Sequence, residues 1–323
     1  MTISVVTPLW QDKPAMDNID IARNAARHGY SDLWIGEMAT FDAFAFATAV
    51  GTSPGNKMAL NIGPLAVDVR TPMTMAMGAA SVAALTGCTT RLAIGSSSKV
   101  VVENWHGRSR LRTAKHLEES ALILRGLLEG QKVNVEGELA TCKGFHLRTD
   151  APGAHVTIAA FGELAVKMAA RHSDRMLLNM VTTESVARLK QQLEDAAKLA
   201  GRPTPKVAAW LGCAIDPSEA AIQQMLRSKV GYLSAAGYSD MFIEAGFGDL
   251  VAFAKTRPHP REVFAAMPAE MAAAVGIIGD RNTVRSRIAE YRAAGVDEIC
   301  ILPPTADDPA AERTLSTVIT LAE

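Results

Sequence analysis

The chain has 323 residues, 48% hydrophobic, 21% charged and 5% aromatic, and its 33 basic side chains balance 34 acidic ones to a net charge of −1. That balance excludes a nucleic-acid or anionic-membrane partner held by bulk charge. MTISVVTPLW runs straight into polar QDKP and no apolar run nears ~20 residues, so neither a leader nor a membrane helix is predicted and the expected location is cytoplasmic.

The elements follow in chain order. An apolar run, Ile3 to Pro8, precedes a helical pattern from Asp17 to His28, which Gly29 stops. Leu33-Trp-Ile-Gly-Glu37 is the second run. The third, Ala59 to Pro64, leads through Pro72 into an apolar helix ending near Leu85. Leu92 to Gly95 is the fourth, followed by a helix through Leu117 and Leu128. Residues 133–138 and 145–147 read as a hairpin inserted near 131–150. Val156–Ala160, Met176–Met180 and Val207–Ile215 are runs five to seven, each leading into a helix. A long helical stretch fills 217–295 and includes a lid-like segment near 230–275. Glu298 to Pro303 is the eighth run, before a last helix near Ala311–Leu321.

Eight such runs, each with its helix, predict a (β/α)8 TIM barrel with insertion segments. Strands buried on both faces read as continuous apolar stretches, and most of these do. A doubly wound open sheet is the alternative, but it does not demand eight strands. The Pro/Gly sites are short turns rather than linkers, so one domain is expected across 1–323. The four cysteines are scattered without a Cys-x-x-Cys pair, and three lie in settings typical of buried free thiols.

In a barrel the chemistry belongs at the C-terminal strand ends. Those positions are Trp10, Glu37, Gly63-Pro64, Gly95 to Ser98, Phe161-Gly162, Asn179, Asp216 and Pro303-Pro304. No lysine lies within any predicted strand, which removes a Schiff-base nucleophile. Glu37 lacks His or Asp companions, which argues against a metal site, and there is no glycosidase-like carboxylate pair. The remainder is small, hydroxylic and glycine-rich. It suits a large planar cofactor with a phosphate tail, which would itself carry the hard chemistry.

Ser96, Ser97 and Ser98 offer hydroxyls and backbone N–H groups to an anion, or form an ordinary serine-rich turn. Phe161, Gly162, Glu163 and Leu164 open a helix that would face the same mouth. A phosphate fits there, although Glu163 serves equally as a first-turn dipole partner. Arg108, Arg110, Arg112 and Lys115 cluster around His106 beside the serine loop, as an anion-steering patch or a solvated face. Pro64 invites a cis bond, but the residues alone favour a trans proline that simply ends the strand.

Together these stretches resemble the luciferase-like superfamily, and within it the deazaflavin (coenzyme F420)-dependent oxidoreductases of actinobacteria. The likeness runs through Leu33–Glu37, Arg70-Thr-Pro72, Gly95 to Ser98 with Glu103–Gly107, the hairpin at Val135–Glu138, Ala159–Gly162, and the ending around Gly279 and Ala294–Ile299. It implies a deazaflavin with its ring in the barrel beside Gly63, Pro64 and Leu65 and its phosphate near 161–165. It also implies hydride transfer with a small-molecule substrate, and a homodimer. The family's cis bulge at the third strand is non-prolyl, whereas here the bond would precede Pro64. Sugar-phosphate dehydrogenases of the family carry Asp-His after strand two and a glutamate after strand four. This chain has Glu37-Met38 and Ser98-Lys99 there, so glucose-6-phosphate oxidation is not expected. Glu37 is left as the expected catalytic and cofactor-binding acid, hydrogen-bonding cofactor or substrate or donating a proton if burial raises its pKa; His106 is the second candidate, although its place outside the strand end favours a structural role. The alternatives are an FMN-dependent monooxygenase of the same superfamily and a cofactor-binding protein without catalysis.

Overall fold

The computed structural model describes residues 2–8, 10 and 13–321. In chain order they form β1 (Thr2–Thr7), α1 (Asp17–Arg27), β2 (Asp32–Ile35), α2 (Ala43–Gly51), β3 (Ala59–Ala66), α3 (Pro72–Thr86) and β4 (Thr90–Gly95). Next come α4 (Thr113–Leu128), β5 (Lys132–Glu136), β6 (Thr141–His146), β7 (Val156–Ala159), α5 (Glu163–His172), β8 (Arg175–Asn179) and α6 (Thr183–Leu199). Then follow β9 (Lys206–Ile215), α7 (Glu219–Arg227), α8 (Tyr238–Glu244), α9 (Gly248–Lys255), α10 (Pro260–Ala265) and α11 (Glu270–Ala274). The chain ends with β10 (Gly276–Gly279), α12 (Arg281–Ala293), β11 (Glu298–Leu302) and α13 (Glu312–Ile319).

The eight predicted runs are β1, β2, β3, β4, β7, β8, β9 and β11, and a helix follows each. Two elements escaped the sequence reading. The α2 segment, AFAFATAVG, is apolar on nearly every face and so shows no helical period; Asp42 caps it, accepting bonds from the Phe44 and Ala45 N–H groups. The four-residue β10 is too short to stand out from the helices around it. Lys206 opens β9, and Lys132 and Lys143 lie in the hairpin, so lysine is not absent from the strands as expected.

Two compact units divide the chain. One comprises Ala25–Leu177 and Gln192–Lys206. Its parallel strands run β2-β3-β4-β7-β8, with Leu33 opposite Leu60, Leu92 opposite Val156 and Thr157 opposite Arg175. Leu33, Trp34, Leu60, Ile62, Ile94 and Ile158 are wholly buried, which explains their continuous apolar runs. The inserted hairpin forms as expected, β5 pairing antiparallel with β6. The buried Glu119 carboxylate of α4 holds its turn, accepting from the Glu138, Leu139 and Ala140 N–H groups at 2.8–3.0 Å. Burial alone would raise that carboxyl, but the three donors outweigh it and hold it below the ordinary range.

The other unit comprises Met1–Asn24, Leu178–Gln191 and Val207–Glu323. Its strands run β10-β9-β11-β1, all parallel, with Ala208 opposite Glu298 and Glu298 opposite Thr2. The buried Ser4 hydroxyl donates to Glu298 at 2.7 Å, and the Tyr291 hydroxyl to the Val181 carbonyl at 2.7 Å. Of the cysteines, Cys142, Cys213 and Cys300 are buried and Cys88 is half-buried, all as free thiols. Among the described residues no helix is long and apolar enough to cross a membrane.

Candidate functional site

The C-terminal ends of β3, β4 and β7 lie side by side, with Ala66 opposite Gly95 and Ile94 opposite Ile158. A Cβ on Gly95 would sit 3.3 Å from the Ala159 Cβ and 3.4 Å from the Pro64 Cβ. The serine loop leaves from Gly95, and Phe161 follows two residues after Ala159. Three segments that the sequence singled out separately therefore radiate from one point.

At β3 the structure corrects the trans proline that the residues alone favoured and agrees with the cis bond that the resemblance implied. Gly63-Pro64 is cis, and the strand continues past it to Ala66 with its register shifted between Ile62 and Leu65. Gly63 adopts φ +121°, and a Cβ there would lie 2.1 Å from the Ala93 carbonyl oxygen, so no other residue fits. Pro64 is half-exposed, but Leu65 is wholly buried and offers a ligand only its backbone.

Past β4, Ser96 is half-buried and Ser97 and Ser98 are exposed, with Ser97 in the left-handed region at φ +52°. The Ser98 hydroxyl accepts the Val101 N–H at 3.2 Å, starting a wide helical turn over Val100–Trp105. Arg110 clasps the loop: its Nε donates to the Ser97 carbonyl at 3.2 Å and its Nη2 to the Ser96 hydroxyl at 3.4 Å. The rest of the basic cluster disperses. Arg112 pairs with Glu138 at 2.5 Å and Lys115 with Glu118 at 3.2 Å, while His106 is exposed behind the turn.

Past β7, Gly162 caps α5 in extended backbone with no side-chain bond, and a Cβ there would meet nothing within 4 Å. The first N–H groups of this ten-residue helix thus have no side-chain cap. Glu163 faces solvent and pairs with Lys167 at 2.6 Å, which holds its carboxyl below the ordinary range and offsets its charge at the helix start. Phe161 is half-buried and Leu164 is 63% exposed.

Glu37 lies beside a cation that the sequence did not bring to it. It is not alone: its carboxylate accepts from the Arg70 Nε at 2.8 Å, the Arg70 Nη2 at 2.5 Å and the Ala43 N–H at 3.1 Å. Arg70 also bonds Asp42 and lies 5.2 Å from the Phe44 ring. The Glu37 bond, joined by Asp42, raises the Arg70 pKa against the opposing effect of burial. The guanidinium thus presents a fork of two N–H groups to both Glu37 oxygens. Arg70 precedes Thr71, which caps α3, and Pro72, its first residue, as the resemblance implied.

Sequence reasoning missed one further pair. The His116 Nδ1 lies 2.6 Å from the Asp68 Oδ1; Asp68 follows β3 with its side chain 3% exposed, and His116 lies in α4. Forty-eight residues separate the two, and no local spacing signals the contact.

In the other unit, Asn179 ends β8 and its carboxamide meets the hydroxyls of both Tyr232 and Tyr238, whose rings lie 4.9 Å apart, edge on. Burial raises both phenols. Further along the same segment, Phe242 is a buried core residue and Phe247 is half-buried. Lys229 is buried and pushed down to about 8; its ammonium donates to the Met225 carbonyl at 3.0 Å. The Trp10 indole N–H donates to the Pro303 carbonyl at 3.0 Å, and Asp216 is exposed. Among the described residues no group of three His, Cys, Asp or Glu is placed to hold a metal.

The model of the luciferase-like monooxygenase family matches residues 2–298. The chain belongs to that family. It is 24% identical over 234 residues to the 5,10-methylenetetrahydromethanopterin reductase of Methanolobus tindarius, covering 72% of this chain and 71% of the relative. The structure of the coenzyme F420-dependent tetrahydromethanopterin reductase of Methanopyrus kandleri superposes with a TM-score of 0.80 at 19% identity, over 98% of this chain and 97% of that one. The FMN complex of the oxygenating constituent of 3,6-diketocamphane monooxygenase from Pseudomonas putida gives 0.73 at 16%, over 98% and 96%. The fold is the (β/α)8 barrel that the eight runs predicted.

Proposed function

We propose that this luciferase-like chain is a coenzyme F420-dependent oxidoreductase that transfers a hydride between the deazaflavin and a small organic substrate. The observation that carries this reading is the meeting of Pro64, Gly95 and Ala159, with the serine loop and the uncapped start of α5 leaving from it. The residues fit such a cofactor. Gly162, Glu163 and Leu164 would hold its phosphate through backbone N–H groups, with the helix dipole behind them. Ser96, Ser97 and Ser98 would add hydroxyl donors. Gly63, Pro64 and Leu65 would press backbone on the ring, and Phe161 would border it. The bound deazaflavin would supply two-electron hydride chemistry. The protein's part is to bind, orient and keep water out, with the Arg70–Glu37 pair as a fixed charge arrangement at the neighbouring strand end.

The closer superposition on the F420-dependent reductase than on the FMN complex supports the deazaflavin. The family's name and the FMN-bound relative favour a second reading, an FMN-dependent monooxygenase. Fluorescence titration of the purified protein with coenzyme F420, and separately with FMN, decides between them. The proposal expects saturable micromolar binding of the deazaflavin and none of FMN. A protein that binds FMN alone supports the second reading, and one that ignores both overturns each. Tight binding with no turnover across a substrate panel would identify a carrier rather than an enzyme.

A further inference from the structure

The backbone turn after β3 holds two charged side chains that reach in different directions. The Val69 and Arg70 N–H groups both donate to the Ala66 carbonyl at 3.0 Å, closing a tight turn over 66–70. From it Arg70 reaches Glu37 and Asp42 on the β2 side, and Asp68 reaches His116 of α4. The Asp68 Oδ2 is buried and has no hydrogen-bond partner, so His116 is the group that answers this carboxylate. A buried carboxylate without a donor is costly, and an imidazole N–H at 2.6 Å satisfies one of its oxygens.

The other charges around His116 have their own partners or lie elsewhere. On α4, Lys115 turns to Glu118 and Glu119, and Glu119 holds the hairpin turn. From α5, His172 takes Glu118 at 3.3 Å, and Glu163 and Lys167 pair with each other. The α3 segment, PMTMAMGAASVAALT, and β7, VTIA, have no titratable side chain. On β4, Arg91 pairs with Asp32. The hairpin brings Lys132, His146 and the mutually paired Glu136 and Lys143, none of them bonded to His116.

We propose that His116 is a positioning residue of the site: through Asp68 it locks the 66–70 turn and so sets the Arg70–Glu37 pair beside the cofactor cradle. The lock is the 2.6 Å bond itself: without it the buried Asp68 carboxylate has no donor and the turn loosens. Loss of one such bond corresponds to about a fivefold loss of cofactor affinity.

The cofactor part of this proposal rests on the deazaflavin reading, and the test separates the two. On the full-length protein without cofactor, NMR follows the Arg70 Nε–H signal in the wild type, His116→Ala and His116→Asn. The proposal expects the signal to shift in His116→Ala and to return towards its wild-type position in His116→Asn, which keeps a donor near the Nδ1 position. An Arg70 signal unmoved in His116→Ala overturns it. Coenzyme F420 affinity should weaken about fivefold in His116→Ala and in Asp68→Ala, and recover in His116→Asn. Undiminished affinity in both alanine variants also overturns it. Absence of F420 binding to the wild type defeats the deazaflavin reading alone, because the NMR measurement needs no ligand.

Discussion

The two ends of the strands in the Ala25–Leu177 unit are built on opposite plans. Near their starts, large polar and aromatic side chains fill the space. The buried Arg175 guanidinium lies 4.4 Å from the Trp34 ring and donates to the Asn61 Oδ1 at 2.5 Å and the Thr157 hydroxyl at 3.2 Å. Asn61 in turn donates to Asp32, which Arg91 also holds. At their finishes the same strands carry Gly63-Pro64, Gly95 and Ala159, followed by serines and a bare helix start. The strand starts are a bonded, desolvated plug, and the finishes are kept small. The contrast teaches that a barrel separates stability from binding along the length of its strands.

Changing either end should therefore move one property and spare the other, and the exceptions are instructive. The largest effect is expected where the plans touch. Gly63→Ala drives a Cβ into the Ala93 carbonyl, and should cost about 3 kcal/mol or more in urea unfolding and remove binding as well.

Next comes acid sensitivity at the strand starts. Burial, with help from Arg175 and Arg91, pushes His155 down to about 4 from an ordinary 6.5. As pH falls below about 6.5 the unfolded chain takes up this proton before the folded one. Stability is thus full above that pH, declines towards about 4 and levels off below it. Unfolding at pH 7 and pH 4.5 should differ by roughly 2–3 kcal/mol from this group, and His155→Gln should remove that share. An unchanged slope in the variant would show that other groups cause the acid loss.

Arg175→Met should cost about 2 kcal/mol by stranding Asn61 and Thr157, while leaving cofactor affinity within about twofold. A large loss of affinity in this variant would break the separation of the two ends.

The smallest effect on stability is the sharpest for the comparison. Gly162→Asp supplies the side-chain cap that α5 lacks and should stabilise the fold by about 0.5–1 kcal/mol. The same carboxylate would repel a phosphate, weakening deazaflavin binding roughly tenfold. Stability and affinity moving together would contradict a phosphate at that helix.

The sequence made the repeating pattern legible because strands buried on both faces stay apolar throughout, as Leu33–Ile35 and Leu92–Ile94 do. It also picked out Ser96–Ser98 and Phe161–Leu164, since glycine and serine at strand ends are informative on their own. What it missed depends on chain folding back on itself. Glu37 read as solitary because Arg70, its partner, lies 33 residues away, and Asp68 and His116 drew no notice for the same reason. The cis bond at Pro64 was reached only through the resemblance, because the crowding of Gly63 against Ala93 belongs to the neighbouring strand. His106, the second candidate, lies exposed outside the strand end.

Hydrogen exchange of the full-length protein with and without saturating coenzyme F420 tests the cradle most directly. The expected result is slowed exchange confined to residues 63–66, 96–98 and 162–166 within the Ala25–Leu177 unit, with the starts of β2, β3, β7 and β8 unchanged. Protection at those starts, with none at the serine loop or the beginning of α5, would contradict the account.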